Sequence, residues 1–258
     1  MLLDTTRRLA IVALLSLGRT AAAQDAAVLP FGVGERLDYV VSVGRLGKVG
    51  QGHLWVDGTA QLRGHETMVL RFELNAGKGP VKASDRTTSW LCPRMMASFR
   101  YDKQERHPLS RRGESVELYP EARRWVDAQG VAGEIGTDAP LDELSFLYFL
   151  RTVSLAGDSV WRFDRHFDAA KNPTTVRVVG RRTVATRLGE IRTVELEMRV
   201  RDPRRYRSDE GIIRIDLSDD PRRLLVRMES TMPVLGRTVL LLDAWTPAAS
   251  QVAARAAR

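Results

Sequence analysis

The stretch Asp138–Val153, DAPLDELSFLYFLRTV, constrains the fold more than any other. Thr137 or Asp138 can cap a helix here, and Pro140 suits a first helical turn. Asp142 and Glu143 stand near the N-terminus of that helix and Arg151 near its C-terminus, as the helix dipole favours. Leu141, Leu144, Phe146, Leu147, Tyr148, Phe149 and Leu150 make it apolar almost all round. Such a helix must be covered on most sides. The remainder of the chain reads as strands joined by short turns, which favour antiparallel pairing. The expected fold is therefore mainly β: a curved antiparallel sheet, half-barrel-like, wrapped around one buried apolar helix.

Residues 1–23 read as a secretory signal peptide. Arg7 and Arg8 precede the ten-residue apolar run Leu9–Gly18, and Ala21 and Ala23 suit cleavage before Gln24. Ten apolar residues are too few to span a bilayer. Export to the periplasm is the expected destination, with a single β-rich domain over 24–246 and a flexible C-terminal tail over 247–258. The whole chain carries a net charge of +8; three arginines and one aspartate lie in 1–23, so the exported part keeps +6. Basic charge of this size fits anionic envelope partners, and export excludes nucleic acid as a natural partner. Cys92 is the only cysteine, so no disulfide can form within the chain, and a buried, inert thiol is expected.

The alternation Leu37, Tyr39, Val41, Val43 marks a half-buried strand over Arg36–Val43. Strands are expected over 50–57, 67–74, 85–91, 95–102, 115–119 and 123–127. The segments 75–80 and 130–139 read as loops, the first of them Gly-rich. After the helix, strands are expected over 160–167, 174–180, 183–187, 191–200, 211–217, 223–229 and 236–244. Asp219-Asp220-Pro221 signals a turn. With marginal segments among these, roughly ten to thirteen strands and one main helix are expected.

The opening Pro30-Phe31-Gly32-Val33-Gly34-Glu35 before Leu37-Asp38-Tyr39, and Gly47-Lys48-Val49-Gly50, form an ordered set of short motifs. Leu144–Arg151 with Gly157-Asp158 behind it, Leu188-Gly189-Glu190 and Leu217–Arg223 complete it. In that order and spacing the chain resembles the exported bacterial family DUF3108, over roughly 29–245. Leu217 stands where a tryptophan is usual, and Leu225 where a proline is common. The resemblance implies a curved, β-rich envelope protein and assigns no catalytic residue or ligand. At the level of fold it is similar to the half-barrels that carry lipoproteins across the periplasm.

No catalytic or nucleotide-binding motif is present, and His53, His65, His107 and His166 do not stand at metal-ligand spacing. No cofactor and no metal site are expected. On a strand, Asp164, His166 and Asp168 would share one face, which a solvated strand explains more simply than a metal site. The run Arg199–Arg207 is basic enough to touch anionic lipid or glycan, though an exposed strand end accounts for it. The leading functional expectation is a non-enzymatic binding or carrier domain for an apolar ligand such as a lipid or acyl chain. Tyr148, Phe149 and Arg151 would line its cavity. The alternative is a structural module engaging anionic envelope partners through a basic face, with Arg204 and Arg205 in contact. A hydrolase would need Asp85, Asp164 and Asp219 to converge.

Overall fold

The structure, a computed structural model, describes residues 29–108, 110–157, 159–202, 210–232, 236–249 and 251. The segment 1–23 lies outside the described residues, as does most of the basic run 199–207. Fourteen antiparallel strands make one sheet. The first eight are β1 (Arg36–Val43), β2 (Gly47–Leu62), β3 (His65–Lys78), β4 (Val81–Cys92), β5 (Ala97–His107), β6 (Ser110–Tyr119), β7 (Arg124–Asp127) and β8 (Ala132–Glu134). Helix α1 (Glu143–Leu150) follows. Then come β9 (Val160–Phe163), β10 (Thr174–Thr186), β11 (Gly189–Arg201), β12 (Glu210–Ser218), β13 (Leu225–Met232) and β14 (Gly236–Thr246).

The strand order is β8-β7-β6-β5-β4-β3-β2-β1-β14-β13-β12-β11-β10-β9. Two meanders thus meet at the pair β1–β14, and the segment carrying α1 crosses from one sheet edge to the other. The sheet curls without closing. Register shifts at Asp38/Tyr39, Val56/Gly58, Trp90/Leu91 and Val178/Gly180 insert the bulges that bend such a sheet. At Gly50 an added Cβ would come within 2.0 Å of the Asn75 carbonyl oxygen, so only glycine lets β2 approach β3 there. The inward residues Leu37, Tyr39, Val41, Leu54, Leu70, Leu196, Ile215 and Leu242 form the main core with Leu144, Tyr148 and Leu150 of α1.

The helix is shorter than the sequence suggests, and its cap is Asp142 in place of Thr137 or Asp138. The Asp142 carboxylate accepts from the backbone N–H groups of Leu144 and Ser145, and Ser145 Oγ accepts in return from the Asp142 N–H. This reciprocal box starts the helix after Pro140. The preceding residues are used otherwise. Pro140 O accepts from Ser98 N at the start of β5, and Leu141 pairs in parallel with His166. The segment before the helix therefore forms a seam between β5 and the residues after β9. Burial pushes the Asp142 carboxyl up, against hydrogen bonds from Ser89, Ser145 and Ser98. Replacing Asp142 by alanine is expected to cost about 2 kcal/mol, read by urea unfolding, because it removes the cap and strands the buried Ser89 hydroxyl.

Some smaller expectations change as well. Asn75–Lys78 continues β3, held by its ladder with β4 up to the turn at Gly79, where a loop was expected. Residues 174–186 form one bulged strand in place of two. Ala132–Glu134 is a strand within a predicted loop. The tail is anchored where it leaves β14: Ala248 is buried, Ala249 N–H donates to Val33 O, and Gln251 Nε2 donates to Pro30 O. Cys92 is buried and free.

Candidate functional site

Alternation decides which side chains face the concave side. On β5, Tyr101, Lys103, Glu105 and His107 point inward; on β4, Asp85, Thr87 and Ser89 do so. Polar residues thus occupy an inward face that is apolar elsewhere. Beneath α1 these strands leave a cavity of about 200 Å³. Its floor is apolar: Leu141, Leu144 and Leu147 from the helix segment, facing Phe72, Met198 and Ile213. Its outer part is charged, with Lys103, Glu105, Glu143, Lys171 and Asp202, and His166 stands beside them. Lys103, Glu105, Glu143, Lys171 and Asp202 also line an adjoining, more polar chamber of about 680 Å³ that reaches Arg111 and Arg112. The two chambers meet at this charged girdle.

Glu143 holds the girdle together. Its carboxylate accepts from Lys103 Nζ at 2.6 Å, from Lys171 Nζ at 3.2 Å and from Tyr101 OH at 3.2 Å. Burial opposes its ionisation, but the two lysines hold its carboxyl well below the usual range. Asp85 is paired with His107 Nε2 at 2.8 Å, yet burial outweighs that bond and raises its pKa.

His166 is not on a solvated strand, because β9 ends at Phe163. The bridge to Leu141 and the bonds between its backbone and the Asn172 side chain fix its position. Its Nδ1 accepts from the Asp168 backbone N–H at 3.0 Å, so in the neutral ring Nε2 carries the proton. Nε2 is buried without a hydrogen-bond partner. Burial, reinforced by Lys171, pushes the imidazole down to about 3. The ring is therefore a neutral donor group at the cavity wall.

The three residues expected to line a cavity lie elsewhere. Arg151 and Glu35 form an ion pair with 1% side-chain exposure on each partner. Arg151 Nη1 and Nη2 reach the two Glu35 carboxylate oxygens at 2.6 and 2.8 Å. The guanidinium also donates to the carbonyls of Pro30, Arg222 and Arg223, so that all three of its nitrogens are engaged. Tyr148 lies beside it, its ring edge-on to Phe31 at 4.9 Å and its buried hydroxyl unpartnered. Phe149 packs on Phe163 at 5.2 Å and lies under the Arg165 guanidinium. None of the three lines the cavity below α1. Tyr148 and Arg151 instead tie the helix end to the residues before β1 and to the β12–β13 turn. Of the polar residues that do line the cavity, Lys103 and Lys171 are not among the sequence candidates, and His166 is one only with Asp164 and Asp168. The signal for Lys103 was the alternation of β5 itself.

The carboxylates Asp85, Asp164 and Asp219 do not meet. Asp85 faces the cavity, Asp164 is exposed beside Arg162, and Asp219 sits in the β12–β13 turn with Arg181 and Arg223. Asp220 accepts from Arg222 N–H and from Ser218 Oγ, as a turn residue. Among the described residues no group of three His, Cys, Asp or Glu side chains could hold a metal ion, and no helix is long and apolar enough to cross a membrane.

A match to the proteins of unknown function DUF3108 spans residues 38–243, from β1 to β14. The chain belongs to the DUF3108 family. None of the curated proteins compared with this DUF3108 chain matches it. Among solved structures it is similar to a β-barrel-like protein of the domain of unknown function DUF1849 from Brucella abortus. That match has a TM-score of 0.52 and 11% identity over 84% of this chain and 99% of the other. At this identity the likeness is one of fold. A protein described as a lipoprotein from Parabacteroides distasonis matches with TM-score 0.33 and 11% identity, over 84% and 97% of the two chains. A protein described as exported, from Bacteroides fragilis, matches with TM-score 0.33 and 12% identity, over 84% and 98%.

Proposed function

We propose that this DUF3108 chain is a binding domain of the bacterial envelope that seats the apolar end of an amphiphilic ligand beneath α1. The observation that carries the reading is the joined pair of chambers, apolar under the helix and charged beyond Glu143. Size narrows the ligand. A cavity of about 150 Å³ suffices for benzene, and drug-sized ligands occupy about 300–1,000 Å³. The 200 Å³ beneath α1 suits a ring or a short branched chain, or only the tip of a long acyl chain. The signal read in residues 1–23 supports a periplasmic setting.

The test is binding of a small apolar fluorophore, 1-aminoanthracene, followed by its blue shift. Val200 lies in the cavity wall on the mouth side. Val200→Trp is expected to weaken dye binding by about tenfold while leaving the thermal midpoint unchanged. Absence of any dye binding by the unaltered protein would favour a structural module, a reading supported by how completely α1 and the aromatic core fill the other end of the sheet.

A further inference from the structure

Three hairpins stand side by side at the mouth end of the sheet. Consecutive pairing of β1 through β6 puts the β1–β2, β3–β4 and β5–β6 connections at one end, each two strands from the next. At about 4.8 Å per strand the three tips form a row of roughly 20 Å. Arg45 and Lys48 flank the first tip, Lys78 and Lys82 the second, and Arg106, Arg111 and Arg112 the third. All seven are exposed. None makes an ion pair with another described residue. Several arginines elsewhere on the same sheet are paired: Arg71 with Asp57, Arg100 with Glu117, Arg182 with Asp216 and Arg237 with Glu229. The rim is thus a row of exposed cations without an ion pair to another described residue.

The tips also carry exposed apolar residues. Leu46 is 52% exposed and Val81 48%, and prolines 80 and 108 share the turns. Between the second and third hairpins an open cleft of about 750 Å³ draws Lys82, Arg106 and Arg111 together. Several cations around one concave space suit a phosphate group. Exposed aliphatic tips set among cations match an anionic lipid interface, where the apolar groups enter the acyl boundary and the cations stay with the headgroups. A nucleic acid or acidic glycan offers nothing to Leu46 or Val81.

We infer that this row of hairpins docks the protein on an anionic phospholipid bilayer. The surface stands apart from the ligand reading, although the charged chamber reaches Arg111 and Arg112 of the same rim. Docking would therefore bring the chamber against the lipid. Each property has its own readout, dye for the cavity and vesicles for the rim, so either can fail alone.

The experiment is flotation of the full chain, expressed with its own first 23 residues, with vesicles of phosphatidylcholine alone or with phosphatidylglycerol. Binding is expected only with phosphatidylglycerol and is expected to weaken with salt. Lys82→Glu with Arg106→Glu should lower the affinity about thirtyfold or more. The matched double reversal Arg94→Glu with Arg192→Glu, at exposed sites toward the other end of the sheet, should change it less than threefold on the same scale. Leu46→Ser with Val81→Ser should shed the binding that survives high salt. Equal loss from both double reversals, or equal binding to soluble heparin with no effect of the serine variants, would overturn the inference. Unchanged melting of each variant would exclude misfolding as the cause.

Discussion

Replacing Arg151 by methionine is expected to destabilise this protein by about 3–5 kcal/mol, because it leaves Glu35 charged and buried with no cation beside it. At the size of this domain that corresponds to a thermal midpoint roughly 10 °C lower. Part of the loss comes from the carbonyls of Arg222 and Arg223, which lose this donor together, while Pro30 O keeps Gln251 Nε2. The double variant Glu35→Leu with Arg151→Met should recover more than half of the single-variant loss, since a buried ion pair exchanged for apolar groups is often neutral. If Arg151→Met melted like the unaltered protein, the guanidinium could not be the tie between the helix end, the residues before β1 and the β12–β13 turn. Calorimetry of the two variants decides it.

The second large effect is on acid stability. The His166 imidazole sits at about 3 in the folded chain, against about 6.5 when unfolded. Its folded pKa is depressed, so the unfolded chain takes up the proton first as pH falls. The stability it contributes is complete above pH 6.5 and is lost progressively toward pH 3. Between pH 7 and pH 4 this residue alone should remove about 3 kcal/mol. His166→Gln keeps an acceptor for the Asp168 N–H and cannot titrate. Its urea-unfolding free energy should therefore fall about 3 kcal/mol less over that range than that of the unaltered protein. Asp142 works in the opposite direction, because its raised carboxyl favours the folded state at low pH, but it is present in both chains and cancels. Parallel pH slopes for the two proteins would mean that His166 is not held neutral by its surroundings.

What the sequence could convey is clearest in β1, whose limits Arg36 and Val43 follow directly from four alternating apolar residues and the glycine after them. The wrapped helix was legible for the same reason: a segment without a polar face has to be enclosed. Its start was not, because Asp138 and Pro140 make as good a local cap as Asp142. Only the tertiary bond from Ser98 N–H to Pro140 O draws the earlier residues into the seam. β8 has the sequence Ala-Gly-Glu and no alternation to read; it exists because Trp125 and Arg124 of β7 offer a ladder. The site was less legible still. Tyr148 and Arg151 are the polar residues at the C-terminal end of the helix, which suggested a mouth, but Glu35, 116 residues away in sequence, claims the guanidinium. His166 belongs to an alternating run by pattern, and only its bridge to Leu141 takes it out of that run. The cationic rim is a property of three hairpins stacked in register, and no single one of them is unusually basic.

The strand order places the two ends of the chain at the middle of the sheet and the middle of the chain at its borders. A nascent or translocating polypeptide therefore exposes β1 first and supplies its neighbour β14 last. Until that moment one side of β1 has its amide and carbonyl groups unmatched, which makes it a template for wrong pairing. Loss of a few strands from the C-terminus would not trim a border, as it does in most meanders; it would open the sheet along its centre and leave two separate fragments joined only through α1. Maturation of this architecture is consequently governed by its final eleven-residue strand, and an incompletely delivered chain offers proteases and chaperones a long, unguarded seam.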